Sequence, residues 1–329
     1  MDARYFCRMP TLHRSRALSL CGTLLALAAP AAAQRTASLP ALDSARLVAD
    51  LSALSADSME GRRVDTPGGA RARAYLARAI HRIGLAPAAD SLAEPFTFSG
   101  RGGRVTHGVN LVAVIKGTVH PDRYVVASAH YDHVGVRAPG VHGDTIYNGA
   151  DDNASGAAAL LAIADWCKAH PPRNSILFAW FDAEEAGERG SRAFVDRPPV
   201  PLALIVANVN LDMVGRNLHG ELYAAGATPW PVMRPLIEAT AAVAQVTLRL
   251  GHDSGAGPDN WTNQSDQGAF NARGIPFVYF GEEDHPDYHM PSDEFSRIEP
   301  GFFVRSARTV ADFVRRLDAG LDAVVAARR

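Results

Sequence analysis

Three carboxylates follow a single apolar segment within four residues. In LFAWFDAEEAGERGS, residues 177–191, Asp182, Glu184 and Glu185 stand where a strand-like run ends at a glycine-containing turn. Carboxylates this close repel one another, and each raises the pKa of its neighbours unless a cation lies among them. The stretch is therefore either a solvated acidic turn or one side of a site that binds a cation.

Histidine and aspartate residues follow other apolar segments in the same way. They occur in the motifs SAHYDH, NGADDNASG, ANVNLDM and DHPDYHMPSD, at residues 128–133, 148–156, 207–213 and 284–293. In the first motif, strand alternation predicts His130 and Asp132 on one side and His133 on the other. This favours His130 over His133 as a metal ligand, with Asp132 as the carboxylate that orients its ring.

The residue types indicate a metal rather than another kind of partner. Histidine and carboxylate ligands without cysteine, drawn from separate strand ends, are typical of a catalytic site for zinc or a similar divalent ion. Helix capping explains one acidic residue in NGADDNASG but not both Asp151 and Asp152. Asp212 shares a strand face with Asn208 and Asn210, so either a metal or a hydrogen-bonded network must satisfy it. The many carboxylates favour two ions, since a bridging carboxylate can hold a pair about 3.5 to 4 Å apart.

Apolar strands alternate with helical patterns along most of the chain. Strand patterns cover residues 110–117, 124–130, 175–182, 203–213 and 274–281, and helical patterns cover residues 155–170, 231–244 and the C-terminal segment. This alternation predicts an α/β fold, a three-layer sandwich whose mostly parallel mixed central sheet is covered by helices on both faces. Ligands bind beyond the carboxyl ends of strands in such sheets. Two helical patterns within residues 41–84 are expected to pack on the sheet, and residues 34–329 to form one domain.

The first 33 residues differ in composition from the rest. Arginines precede an apolar run that closes in Ala31-Ala32-Ala33, which is typical of a secretory signal cleaved after Ala33. The sequence thus predicts a secreted or periplasmic protein with no integral membrane span after processing. The formal net charge of −2 becomes more negative once the arginine-rich segment is removed, which excludes an electrostatic footprint for nucleic acid. Cys167 is the only cysteine after residue 33, so the processed chain forms no internal disulfide.

Five motifs in order resemble a known family. HYD, GADDNASG, EEAGERGS, NLDM and YHMPSD, spread over roughly residues 105–300, are similar to the co-catalytic zinc aminopeptidases that include bacterial leucyl aminopeptidases, and more distantly to glutamate carboxypeptidases and glutaminyl cyclases. The resemblance implies two Zn²⁺ ions per chain, with other divalent ions as alternatives. It implies that Asp152 bridges the ions, that Glu185 and His289 complete one set of ligands, and that His130 and Asp212 complete the other.

The resemblance also implies catalytic roles and an activity. Glu184 would be the general base, Asp132 would hold the ring of His130, and Tyr288 would donate to the developing oxyanion. The implied reaction is exopeptidase hydrolysis of N-terminal residues from peptides or small aminoacyl substrates by a metal-activated water. The resemblance favours His289 over His285 as the ligand. It also implies a cis peptide bond after Asp152.

Three alternative functions remain open at this point. A glutaminyl cyclase would use a related site for acyl transfer, a carboxypeptidase would need a basic cluster of which Arg216 is the only nearby candidate, and a binding module would have lost ligands. An acidic loop suits a substrate with a free α-amino group, and an apolar pocket would suit an apolar first residue. The expected acidic residues are Glu282, Glu283, Asp284 and Asp287, and the expected pocket residues are Met213, Phe277 and Tyr279.

Overall fold

A nine-stranded sheet forms the centre of the computed structural model, which describes residues 39–141 and 143–328. The strands are β1 Ala86–Pro87, β2 Ala93–Ser99, β3 Val105–Ile115, β4 His120–His130, β5 Gly135–Val141, β6 Asp144–Tyr147, β7 Asn174–Phe181, β8 Ile205–Leu211, β9 Glu221–Ala225, β10 Thr247–Leu250 and β11 Phe277–Gly281. The helices are α1 Ser44–Leu54, α2 Pro67–Ile83, α3 Gly156–Ala169, α4 Arg189–Asp196, α5 Arg234–Ala241, α6 Gln267–Asn271 and α7 Pro300–Ala327.

The sheet is parallel at its centre and mixed at its edges. Its order is β1-β3-β7-β4-β8-β11-β9-β10, with β2 paired to β3, while β5 and β6 form a separate hairpin. Strands β7, β4, β8 and β11 run parallel to their neighbours in this group. Strand β3 is antiparallel to β7, and β9 is antiparallel to β11. The carboxyl ends of the four central strands therefore meet at one edge of the sheet.

Helices cover both faces of the sheet. The side chains of β4 are apolar on both faces of the sheet, so both faces must be covered. Val125 and Ala127 pack into one apolar cluster, while Tyr124 and Val126 pack into another. Helices α1, α2, α3, α5 and α7 contribute to the first cluster, and α4 and α6 contribute to the second. The prediction of an α/β three-layer sandwich with a mostly parallel mixed sheet is therefore confirmed.

Local sequence signals set the bounds of the N-terminal helices. The Asp43 side chain accepts the backbone N–H of Arg46 at the start of α1. At the start of α2, Thr66 caps the helix ahead of Pro67, and Gly84 ends it in the left-handed region at φ 76°. Both helices pack their apolar residues into the same cluster as one face of the sheet.

Residues 39–329 form one compact unit. The predicted signal segment, residues 1–33, lies outside the described residues, so the assignment of a single domain from residue 34 stays a prediction. Among the described helices, none has the length and apolar character needed to cross a membrane.

Candidate metal centre

The predicted ligands gather at the edge where the four parallel strands end. His130 is the last residue of β4, Asp212 directly follows β8, and Glu185 lies in the turn after β7. His289 lies in the loop after β11, and Asp152 lies in the irregular turn that leads into α3. The peptide bond between Asp152 and Asn153 is cis, as the resemblance implies.

A first group of donor atoms surrounds the His130 ring. Its Nε2 lies 3.2 Å from Asp212 Oδ1 and 3.4 Å from Asp152 Oδ1. His130 and Asp152 are almost wholly buried, and Asp212 is 8% exposed. An imidazole and two carboxylates in such a setting can hold a cation or a proton.

A second group surrounds the His289 ring. Its Nε2 lies 3.1 Å from Asp152 Oδ2 and 3.2 Å from Glu185 Oε2. The two oxygens of Asp152 thus face different groups, which is the arrangement that a bridging carboxylate requires.

The spacing of these atoms fits a divalent ion. Two ligands that are each about 2.0 to 2.1 Å from a tetrahedral zinc ion lie about 3.3 Å apart, and the measured separations run from 3.1 to 3.4 Å. Glu185 Oε1 is buried without a hydrogen-bond partner among the described residues. Crowded carboxylates with an unsatisfied buried oxygen are costly unless a cation is present. The donor set is therefore compatible with two divalent ions.

Asp132 links the His130 ring to the turn that carries Glu184. The backbone carbonyl oxygen of Asp132 lies 3.2 Å from His130 Nδ1, and the carboxylate oxygen Oδ1 of Asp132 lies 3.6 Å from the same nitrogen. The same carboxylate accepts the backbone N–H of Glu184 at 2.9 Å. Orientation of the ring through its second nitrogen is a common feature of metal-binding histidines.

The two adjacent glutamates differ in their pKa. Burial raises the pKa of Glu184 well above its usual value; the charge of His130 opposes this effect, and the neighbouring carboxylates, Asp212 first, add to it. Burial also acts to raise the pKa of Glu185, but the charges of His133 and His289 outweigh it and hold this pKa well below the usual range. Glu185 belongs to one of the two donor groups and Glu184 to neither.

A cavity of about 270 Å³ opens onto both groups. Met213, Trp261 and Tyr279 supply its apolar wall, and Tyr288 also lines it, with its ring stacked on His289 at a centroid distance of 4.0 Å. The prediction for Phe277 is wrong, because this residue is wholly buried in the core beside Tyr279 and does not line the cavity.

The acidic loop after β11 is divided between the cavity and other partners. Glu282 and Asp284 line the cavity. Asp287 instead pairs with Arg216 at 2.6 Å. No lysine or arginine lines this cavity among the described residues. The edge of the cavity therefore carries acidic residues. Arg216, the basic residue considered for binding a terminal carboxylate, is paired with Asp287 instead.

His133 also lies in the site, which the sequence argument missed. Strand β4 ends at His130, so strand alternation does not extend to His133. The ring is wholly buried, and its Nδ1 lies 2.7 Å from Glu185 Oε1 and 3.6 Å from Asp152 Oδ2. A second histidine three residues after the first was the signal that could have identified it.

Arg62 is a second residue that the sequence argument missed. It lies between α1 and α2 and is 1% exposed. Its guanidinium donates to the carbonyl oxygens of Tyr131 at 2.8 Å and Gly149 at 2.8 Å, and also to those of Leu54 and Asn148. It thereby connects the N-terminal segment to two of the segments that carry ligands, the one after His130 and the one before Asp152.

His285 belongs to a separate group. Its Nε2 lies 3.3 Å from Asp151 Oδ2, and Glu282 completes that group. Asp182 stays outside all of these groups and accepts the backbone N–H groups of Val109 and Ala183, each at 2.9 Å. Both residues therefore lie apart from the two predicted ligand sets.

Comparison with known proteins agrees with this geometry. A "probable zinc metalloprotease" of Pyrenophora teres f. teres is 26% identical over 237 residues, which cover 67% of this chain and 47% of that protein. Aminopeptidase YwaD of Bacillus subtilis is 32% identical over 192 residues, which cover 56% of this chain and 38% of that protein. The chain therefore spans less than half the length of these relatives.

Solved structures share the fold. A zinc aminopeptidase from Bacillus subtilis matches with a TM-score of 0.66 at 18% identity, covering 84% of this chain and 95% of that one. A glutaminyl cyclase from Porphyromonas gingivalis matches with a TM-score of 0.68 at 17% identity, covering 83% and 98%. The model of "Peptidase family M28" matches residues 110–314, the part of the chain that holds both donor groups. This chain accordingly belongs to peptidase family M28.

Proposed function

We propose that the chain is a zinc-dependent aminopeptidase with two Zn²⁺ ions per chain. The first ion would be held by His130, Asp152 and Asp212, and the second by Asp152, Glu185 and His289. The support is the pair of donor groups that share Asp152, together with the relatives named as aminopeptidases and zinc metalloproteases.

Two side chains near the ions would carry out proton transfer and stabilise the developing oxyanion. Zinc, when bound, supplies Lewis acidity that lowers the pKa of water and polarises a carbonyl group. Glu184 accepts a proton from the attacking water and returns it to the departing amine. Tyr288 stays protonated, because burial and the charge of Asp152 raise its pKa, and it donates to the developing oxyanion.

The acidic rim is the observation that favours attack from the amino end. A free α-ammonium group suits a cavity edged by the exposed Asp284, while a terminal carboxylate needs a cation there. Arg216, the candidate for that cation, already pairs with Asp287. The apolar wall formed by Met213, Trp261 and Tyr279 suits an apolar first side chain.

Three forms of one leucyl peptide test this direction. The free peptide should be hydrolysed, its N-acetyl form should not be turned over, and its C-terminal amide should be hydrolysed at nearly the same kcat/KM as the free peptide. The released products are measured by mass spectrometry. Turnover of the acetylated peptide with loss of the amide's turnover would instead make this a carboxypeptidase. A glutaminyl peptide serves as a fourth substrate, and its cyclisation in place of hydrolysis would favour acyl transfer.

We also propose that the protein is exported. The arginines, the apolar run and the Ala31-Ala32-Ala33 motif support cleavage by a signal peptidase, since these are the three parts of a secretory signal. N-terminal sequencing of the exported protein should begin at Gln34, and a sequence that begins at Met1 would contradict this prediction.

A further inference from the structure

The His133 ring occupies a position that the five proposed ligands do not explain. It is wholly buried and meets the His289 ring edge to face, at a centroid distance of 5.6 Å. The backbone leaves room for it at Gly149, because a Cβ there would lie 2.5 Å from the ring carbons of His133. The ring is thus closely packed against the turn that carries Asp152.

Both ring nitrogens of His133 lack a hydrogen-bond partner among the described residues. Nδ1 nevertheless lies 2.7 Å from Glu185 Oε1, an oxygen that also lacks a partner. The separation is that of a hydrogen bond, but the two atoms do not meet the angular requirement of one. Nδ1 and Oε1 are therefore in contact while both remain without a hydrogen bond.

A shared metal ion accounts for it. Two donors that each lie about 2.1 Å from one ion and 2.7 Å from each other subtend an angle of about 80° at the ion, a value allowed when the carboxylate binds through both oxygens. The ion then lies along the Nδ1 direction, and Oε1 lies well off it. Nδ1 is also 3.6 Å from Asp152 Oδ2, near the spacing of the other donor pairs.

We propose that His133 is a sixth protein ligand, which binds the ion held by Asp152, Glu185 and His289. This inference rests on the proposed two-metal site, and it makes the number of protein ligands differ between the two ions. One ion has four protein ligands, and the other, held by His130, Asp152 and Asp212, has three. Four protein ligands, one of them bound through both oxygens, fill the coordination of the one ion, while three protein ligands leave the other a position for water or substrate. The two ions are therefore expected to bind with unequal affinity.

Cobalt-loaded protein gives a direct count of the histidine ligands. A histidine bound to Co²⁺ through one nitrogen keeps an N–H on the other, and that proton gives an exchangeable, strongly shifted ¹H NMR signal. The wild-type protein should show three such signals, and His133→Gln should show two. Two signals in the wild type, unchanged in the variant, would overturn the proposal.

Zinc titration measures the consequence for affinity. His133→Gln should weaken one of the two Zn²⁺ equivalents by about 100-fold and leave the other unchanged. His170→Gln is the matched control, because it makes the same substitution at an exposed position after α3 and should keep both affinities. Thermal unfolding of the metal-free proteins checks that each variant folds.

The outcomes separate this inference from the proposed function. If His133→Gln keeps both affinities while His289→Gln loses one ion, His133 is not a ligand and the two-metal site stands. If the wild-type protein binds no Zn²⁺, both the proposed function and this inference fail. A loss of affinity in His133→Gln with only two NMR signals in the wild type would also contradict direct ligation.

Discussion

Replacing Glu184 with glutamine is expected to lower kcat at least about 100-fold while both metal ions stay bound, because a positioned general base is typically worth that factor or more. Glutamine has nearly the same shape but cannot accept a proton. Glu184 belongs to neither donor group, and its backbone N–H remains fixed by Asp132. Steady-state kinetics on the leucyl peptide and metal analysis of the same sample provide the measurement.

The neighbouring position gives the contrast. Glu185→Gln should lose one ion, since Glu185 Oε2 lies 3.2 Å from His289 Nε2 within the second donor group. Glu188→Gln is the control in the same turn, because Glu188 pairs with Arg192 and belongs to neither group. Full metal content and full activity in both Glu184→Gln and Glu185→Gln would show that the roles are assigned wrongly.

The fold and the gathering of the proposed ligands were predictable because they depend on local patterns. Continuous apolar strands of this length indicate a parallel sheet with both faces covered, and the carboxyl ends of such strands lie together. His130 ends one of these strands, and Asp212 and Glu185 follow two others, so their convergence follows from topology. The short strands near one edge of the sheet were not predicted, since β9 and β10 have only five and four residues.

His133 and Phe277 show where strand alternation misleads. His133 lies beyond the last residue of β4, where the period of two no longer applies. Phe277 and Tyr279 lie on the same face of β11. Phe277 is the first residue of the strand, so it lies about 6 to 7 Å further from the carboxyl edge of the sheet than Tyr279 does. Tyr279 therefore reaches the cavity, and Phe277 remains in the core.

Arg62 escaped sequence analysis for a different reason. Its partners are backbone carbonyl oxygens, which every residue carries, and most of them belong to loops far away in the sequence. It also precedes residues 110–314, the part of the chain that matches the family. Contacts of this kind can be found only from the fold.

Arg62 is also where the largest loss of stability is expected. Burial lowers the pKa of its guanidinium to about 10, an effect that the charges of Asp152, Asp293 and Asp132 partly offset, so the group is charged at neutral pH. Arg62→Met would leave several buried carbonyl oxygens without donors. It would also remove a cation from beneath the carboxylates of the metal site. Each of these changes is costly inside a protein.

The expected result is a decrease of about 3 to 5 kcal/mol in the free energy of unfolding for Arg62→Met. Urea unfolding of the metal-free protein measures it, with Arg63→Met as the control, because Arg63 is the adjacent arginine and is exposed. Arg62→Lys should recover only part of the loss, since a lysine keeps the charge but cannot reach carbonyls on both sides as a planar guanidinium does. Equal stability of Arg62→Met and Arg63→Met would contradict this role. Full recovery of the free energy of unfolding in Arg62→Lys would show that the charge alone matters. The guanidinium would then not be needed to hold the loops of Tyr131 and Gly149 together.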